Sequence, residues 1–136
     1  MSKKVFISLP VADFAKSIAF YEALGFKRNP DFSDDTAAAM VWGETIYFML
    51  LSHQKWREFT TRPIPPTASS EVAINLSCES KEEVDAMVAA AVAHGGTADV
   101  NPVQDLGFMY GRDLLDLDGH ILGPMWMDPA AIPAES

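Results

Sequence analysis

Two stretches of the chain, Phe6-Ile7-Ser8-Leu9 and Ala73-Ile74-Asn75-Leu76, read as the same short strand written twice. Each is followed by a turn and an amphipathic helix that stops at glycine. A duplicated unit restricts the fold strongly, because both copies must bury the same side of the same supersecondary pattern.

In the first copy, Val5 to Val11 reads as a strand, with Pro10 confining it to an edge or terminal position. Asp13 supplies an N-cap oxygen, and Phe14, Ile18, Tyr21 and Leu24 give the apolar stripe of a helix. Gly25 stops it. Phe26 to Asn29 begins a second strand, turned by Asn29-Pro30-Asp31. Thr36 to Trp42 and Thr45 to Leu51 form a hairpin around Gly43-Glu44, and His53 to Thr61 forms a helical turn. The second copy repeats the order. Val72 to Cys78 is a strand, Ser80-x-x-Glu83 a capping box, and Val84, Met87, Val88, Ala91 and Val92 the stripe of a helix ended by Gly95-Gly96. Thr97 to Val103, Phe108 to Leu114 and His120 to Met127 supply three strands, with the turn Asp116-Leu117-Asp118-Gly119 before the last.

A strand followed by a helix could also open a parallel sheet. The tight spacing of the strands after each helix decides against that, since hairpins join antiparallel neighbours and parallel ones need a crossover of about a dozen residues. The expectation is an α+β fold of two tandem βαβββ modules in one domain, with curled, antiparallel-rich sheets. Module one covers about 1–60, a proline-rich linker about 61–70, module two about 71–128, and a surface tail 129–136.

The chain has 136 residues, 49% of them hydrophobic, enough for a sizeable core. A net charge of −9 disfavours nucleic acid or an anionic membrane as partner. The lone Cys78 permits no intrachain disulfide and suits a reducing cytoplasm. The N-terminal residues show no secretory h-region, and no apolar run approaches the roughly 18 residues of a membrane span. A cytoplasmic protein is expected.

The opening Leu9-Pro10-Val11-Ala12-Asp13-Phe14-Ala15-Lys16-Ser17, then Phe20-Tyr21 and Leu24-Gly25-Phe26, resembles that of the vicinal oxygen chelate superfamily. So does the close, Tyr110-Gly111-Arg112 followed by Asp116-Leu117-Asp118-Gly119-His120. The resemblance runs from about Val5 to Asp128. It implies two modules that each curl into half a barrel, a ligand cavity between the halves, and a homodimer. The superfamily includes glyoxalases, extradiol dioxygenases, fosfomycin-modifying transferases and bleomycin-sequestering proteins, so the fold alone assigns no reaction.

Metal-dependent members place His, Gln or Glu at four inward strand positions. By the resemblance these fall at Phe6, Met49, Ala73 and Gly123, with Glu the family's residue at the last. None of the four is a ligand for a hard or borderline cation, and Met49 is a soft thioether. No metal ligand and no cofactor are therefore expected; the alternative is a divalent ion such as Zn, Ni, Mn or Fe.

Period-two alternation groups Ser8 with Phe6, Asn75 and Ser77 with Ala73, Tyr47 and Leu51 with Met49, and Ile121 and Met125 with Gly123. Sparse polar points on an apolar lining are the composition of a small-molecule site. Tyr110 and Arg112 are added from the seventh strand, Arg112 as the group to meet a carboxylate or phosphate. The candidate ligand-binding set is thus Ser8, Tyr47, Met49, Asn75, Tyr110, Arg112 and Met125. The polar and aromatic segment His53 to Phe59 sits at a strand exit, where loops cover cavity mouths. Cys78 reads as an inert thiol, and the phosphate-cradling and nucleophile-elbow motifs are absent from the sequence.

Three functions stay open: a metal-free protein that binds or sequesters a small molecule, a glyoxalase-like lyase or isomerase, and a scaffold or regulatory partner. The missing ligands favour the first.

Overall fold

The structure is a computed structural model that describes residues 3–131. The chain divides into two compact units, Met1–Ser69 and Ser70–Ser136.

In the first unit the order is β1 (Val5–Val11), α1 (Phe14–Ala23), β2 (Lys27–Asn29), β3 (Ala37–Gly43), β4 (Ile46–Ser52) and α2 (His53–Phe59). The sheet runs β1-β4-β3-β2; β1 lies parallel to β4, and the other pairs are antiparallel. The Asp13 side chain accepts from Lys16 N at 3.1 Å to start α1. Gly25, at φ 109°, closes it where a side chain would strain the backbone. The buried stripe of α1 is Ser17, Phe20, Tyr21 and Leu24. It is not the expected line through Phe14 and Ile18, both only half-buried. The observed spacing is i, i+3, i+4, i+7, and it seats Tyr21 edge-on against Phe26 and Phe48. Asn29-Pro30-Asp31 turns through a short 3-10 segment, Pro30–Phe32, capped by the Asn29 side chain.

The second unit comprises β5 (Ala73–Cys78), α3 (Lys81–Ala93), β6 (Gln104–Asp105), β7 (Met109–Gly111), β8 (Leu114–Leu115) and β9 (Ile121–Met127). β5 lies parallel to β9, and β7 and β8 pair antiparallel with β9. The Ser80 side chain caps α3 by accepting from Glu83 N at 3.1 Å. Glu83 reaches back one residue further than a capping box requires, to Glu79 N at 2.8 Å. Val84, Met87, Val88 and Ala91 are buried as expected, whereas Val92 is 50% exposed. It stands about 100° round the helix from Ala91, on the flank of the buried stripe.

Two strands differ from expectation. Thr97 to Val103 is not a strand: Thr97 alone bridges Leu115, and pairing with β7 begins only at Gln104. Asp99 takes φ 53° and Pro102 follows, which breaks extended pairing. The strand expected over Phe108 to Leu114 is split into β7 and β8, although one register runs through both: Gly111 faces Met125 and Leu114 faces Leu122. The gap falls at Arg112-Asp113, opposite Gly123-Pro124. Arg112 N still donates to Pro124 O at 3.2 Å, but Pro124 has no N–H to return a ladder bond. Of the expected tail, Pro129–Ala131 is a 3-10 turn; residues 132–136 lie outside the described residues.

Candidate functional site

In the second sheet, alternation sorts the side chains into a face covered by α3 and an open face. Leu122 and Pro124 of β9 are buried with Leu76 and Cys78 of β5, on the helix side. Asn75 pairs with Gly123 and Ser77 with Met125, so these residues share the open face. Carrying the β7–β9 register through the gap puts Asp113 across from Gly123 on that same open face. It puts Arg112 across from Pro124 and Tyr110 across from Trp126, on the helix side.

The side-chain partners follow this division. Arg112 grips Asp99 with two bonds, Nε to Oδ1 at 2.9 Å and Nη2 to Oδ2 at 2.8 Å, and reaches Asp85 Oδ1 of α3 through Nη1 at 3.0 Å. Tyr110 donates to the same Asp85 oxygen at 2.7 Å. Lys81 Nζ lies 5.8 Å from the Tyr110 ring centre and 5.6 Å from that of Trp126, within cation–π range. The bond from Tyr110 holds the Asp85 carboxyl below its ordinary range, and the Arg112 fork does the same for Asp99. The bond to Asp85 pushes the Tyr110 phenol up, and the Asp99 carboxylate does so for the Arg112 guanidinium. This is a clamp of α3 and the 99 loop onto β7. The guanidinium that the sequence offers to a ligand anion is already committed to two carboxylates.

On the open face a cleft of about 240 Å³ is lined by Asn75, Gln104, Met109, Asp113, Gly123 and Met125, together with Pro102, Gly111, Arg112 and Pro124. Glycine at 111 keeps its floor low, since a Cβ there would meet Met125 Cβ at 3.6 Å and Met109 Sδ at 3.7 Å. At Gly123 the room a Cβ would take is filled by Asn75 Oδ1 and by Asp113 Oδ1, the latter 2.8 Å from that position. Asp113 is held in place: its Oδ2 accepts from Asn101 Nδ2 at 2.9 Å, and its carbonyl from Val100 N at 3.1 Å.

In the first unit, Phe6, Ser8 and Pro10 pair with Tyr47, Met49 and Leu51, so Ser8, Tyr47 and Met49 share one face of the sheet. Phe6 and Tyr47 stack with ring centres 4.7 Å apart and planes 15° apart, and Phe6 remains 59% exposed. Lys4 Nζ lies 5.7 Å from the Tyr47 ring centre. The His53 to Phe59 segment is the helix α2, capped by Ser52, inside the helical turn expected over His53 to Thr61.

Of the sequence-derived set, Asn75, Arg112 and Met125 line the cleft, Tyr110 lies on the helix side, and Ser8, Tyr47 and Met49 belong to the first unit. Asp113, Asn101 and Gln104 were not in that set. Counting outward from the Asp116–Gly119 turn would place Asp113 across from Leu122; the observed register, with Leu114 facing Leu122, is one residue further on and brings it to Gly123.

The donor chemistry at the four positions matched to family metal ligands does not fit a divalent ion. Phe6 carries a stacked ring, Met49 a thioether, and Ala73 and Gly123 no donor side chain. Among the described residues, no group of three or more His, Cys, Asp or Glu is placed to hold a metal. His94 Nδ1 sits 3.0 Å from Ala90 O, and His120 Nδ1 4.0 Å from Asp116 Oδ1. No described helix is long and apolar enough to cross a membrane.

Several solved structures share the fold. A hypothetical protein of S. aureus, SA1046, is 28% identical with a TM-score of 0.77, covering 93% of this chain and 94% of its own. A glyoxalase/bleomycin resistance protein/dioxygenase family enzyme of Burkholderia phytofirmans is 17% identical at TM-score 0.78, covering 93% and 99%. An antibiotic binding protein of Streptomyces, TnmS3, is 23% identical at TM-score 0.65, covering 93% and 97%. Among curated proteins, none matches the chain. The family description of the Glyoxalase/Bleomycin resistance protein/Dioxygenase superfamily matches residues 5–122, and the chain belongs to that superfamily.

Proposed function

We propose that this protein is a metal-free, small-molecule-binding or sequestering member of its superfamily, acting in the cytoplasm as a homodimer. One observation carries the reading. The place where the family's glutamate ligand would stand is Gly123, and the room beside it is taken by the Asn75 and Asp113 side chains. Beside them lies a cleft walled by Met109 and Met125. A few polar atoms on an adaptable apolar wall orient and hold a ligand without polarising it. The antibiotic-binding description of the Streptomyces neighbour supports sequestration as a use of this fold. The seven sequence-derived residues are narrowed on this reading to Asn75 and Met125, joined by Asp113.

The test is elemental analysis of the purified protein together with thermal-shift screening and a hemithioacetal assay. The expected result is far less than one Zn, Ni, Mn or Fe per chain, a rise in melting temperature with a bound small molecule, and no isomerase turnover. Stoichiometric metal lost on substituting cleft residues, or efficient turnover, would overturn the reading.

A further inference from the structure

We infer that the cleft of the second unit selects a small ligand carrying a protonated amine or amidine, bound by Asp113 Oδ1 together with Asn75 Oδ1. The inference rests on the small-molecule reading above and names the chemistry of its ligand.

Three features of the second unit carry it. First, two oxygens converge where no side chain separates them, because residue 123 is glycine. Second, Asp113 is fixed and still has capacity: Asn101 takes Oδ2, and Oδ1 is left over Gly123. A carboxylate held by one oxygen and presented by the other is an acceptor ready for a charged donor. Third, no protein cation neutralises it. Among the described residues Asp113 has no ion pair: Arg112, which also lines the cleft, has its guanidinium committed to Asp85 and Asp99, and Lys81 is paired with Asp105 at 3.7 Å. A ligand carboxylate or phosphate would meet acceptor oxygens here and be repelled; an ammonium would be held.

Size adds a second restriction. The cleft's 240 Å³ lies below the roughly 300–1,000 Å³ of drug-sized pockets. One ring or short chain against Met109 and Met125, with the amine at Asp113, fits it.

The test is a ¹H–¹⁵N NMR titration of the full chain with phenethylammonium and, in parallel, with 3-phenylpropionate, which has the same ring and tether but the opposite charge. The amine is expected to shift the Gly111, Asp113 and Met125 amides saturably, and the carboxylate to leave them unmoved. Asp113→Asn should weaken the amine about tenfold or more, and Asn75→Ala, at an exposed site, about threefold. Asp31→Asn, on the first unit's surface, removes the same net charge and should change nothing. Equal binding of the carboxylate in the cleft, or undiminished amine binding in both Asp113→Asn and Asn75→Ala, overturns the charge selection while leaving small-molecule binding intact. Failure of both probes to shift cleft amides overturns the amine-selective cleft and leaves the small-molecule reading to the thermal-shift screen above.

Discussion

Asp113 stands across the sheet from Gly123, and its Oδ1 lies 2.8 Å from where a Cβ at Gly123 would be. Asn75 Oδ1 crowds the same point from the neighbouring strand. The absent side chain is therefore what allows an amide and a carboxylate from β5 and the β7–β8 gap to meet over β9.

Gly123→Ala tests that relationship. The clash is with side-chain ends, and Asn75 is exposed and able to swing out. The expected cost is about 1 kcal/mol, at the low end for added volume at a packed site. The side-chain amide signals of Asn75 and Asn101 should both move. Adding Asn75→Ala to Gly123→Ala should recover part of the loss, a coupling readable in a urea double-mutant cycle. Strict additivity would show that Asn75 does not occupy the space over Gly123.

Arg112→Ala breaks the clamp between α3, the 99 loop and β7. The guanidinium side chain is 20% exposed, but Asp85 and Asp99 are 53% and 35% exposed, so solvent screens much of the pairing. A loss of about 1–2 kcal/mol is expected, and Arg112→Lys should restore only part of it because an ammonium cannot reproduce the two-bond fork on Asp99. Urea midpoints of the three proteins decide this.

The same clamp fixes an acid limb. Asp85 and Asp99 have native pKa values held below the ordinary range, so the unfolded chain takes up protons first as pH falls. Their stabilisation is complete above the unfolded carboxylate pKa of about 4 and drains away as pH drops through the lower native values. Asp85→Asn with Asp99→Asn should be less stable than the parent at pH 6, and the gap should narrow below pH 4. A gap constant from pH 6 to pH 2 would show that the two carboxylates are not selectively stabilised.

Tyr110 titrates in the opposite direction. Its bond to Asp85 favours the neutral phenol and raises its native pKa, so that contribution is complete below the unfolded tyrosine pKa of about 10 and lost as pH rises through the native value. Difference absorbance near 295 nm should show a late-ionising phenol step that is lost in Tyr110→Phe and shifted earlier in Asp85→Asn.

The duplicated strand, both helices and the grouping of Asn75 with Ser77 and of Gly123 with Met125 within their strands were legible because hydrophobic period and alternation act locally. Asp113 was not, because its role depends on the partner strand. Pro124 cannot return a ladder bond and so opens the gap at Arg112-Asp113, far from it in sequence. For the same reason Tyr110 and Arg112 were offered to a ligand: their face is settled only once Gly111 is known to oppose Met125. The α1 stripe shifted because Ser17 is polar in type but buried in place, and a hydrophobic count passes over it.

Cys78 reports on the seam between β5 and β9. It is 8% exposed at the end of β5, its thiol pushed up to about 11 by burial. Only the thiolate attacks, and at pH 8 little of it is present. Labelling by a soluble disulfide reagent at pH 8 should therefore be slow in the native protein and rise sharply across the urea transition. The midpoint of reactivity should match that of circular dichroism, since the thiol becomes accessible when β5 leaves β9. Rapid labelling without denaturant would show that β5 opens on its own, and would detach the Asn75 side of the cleft from the rest of the sheet.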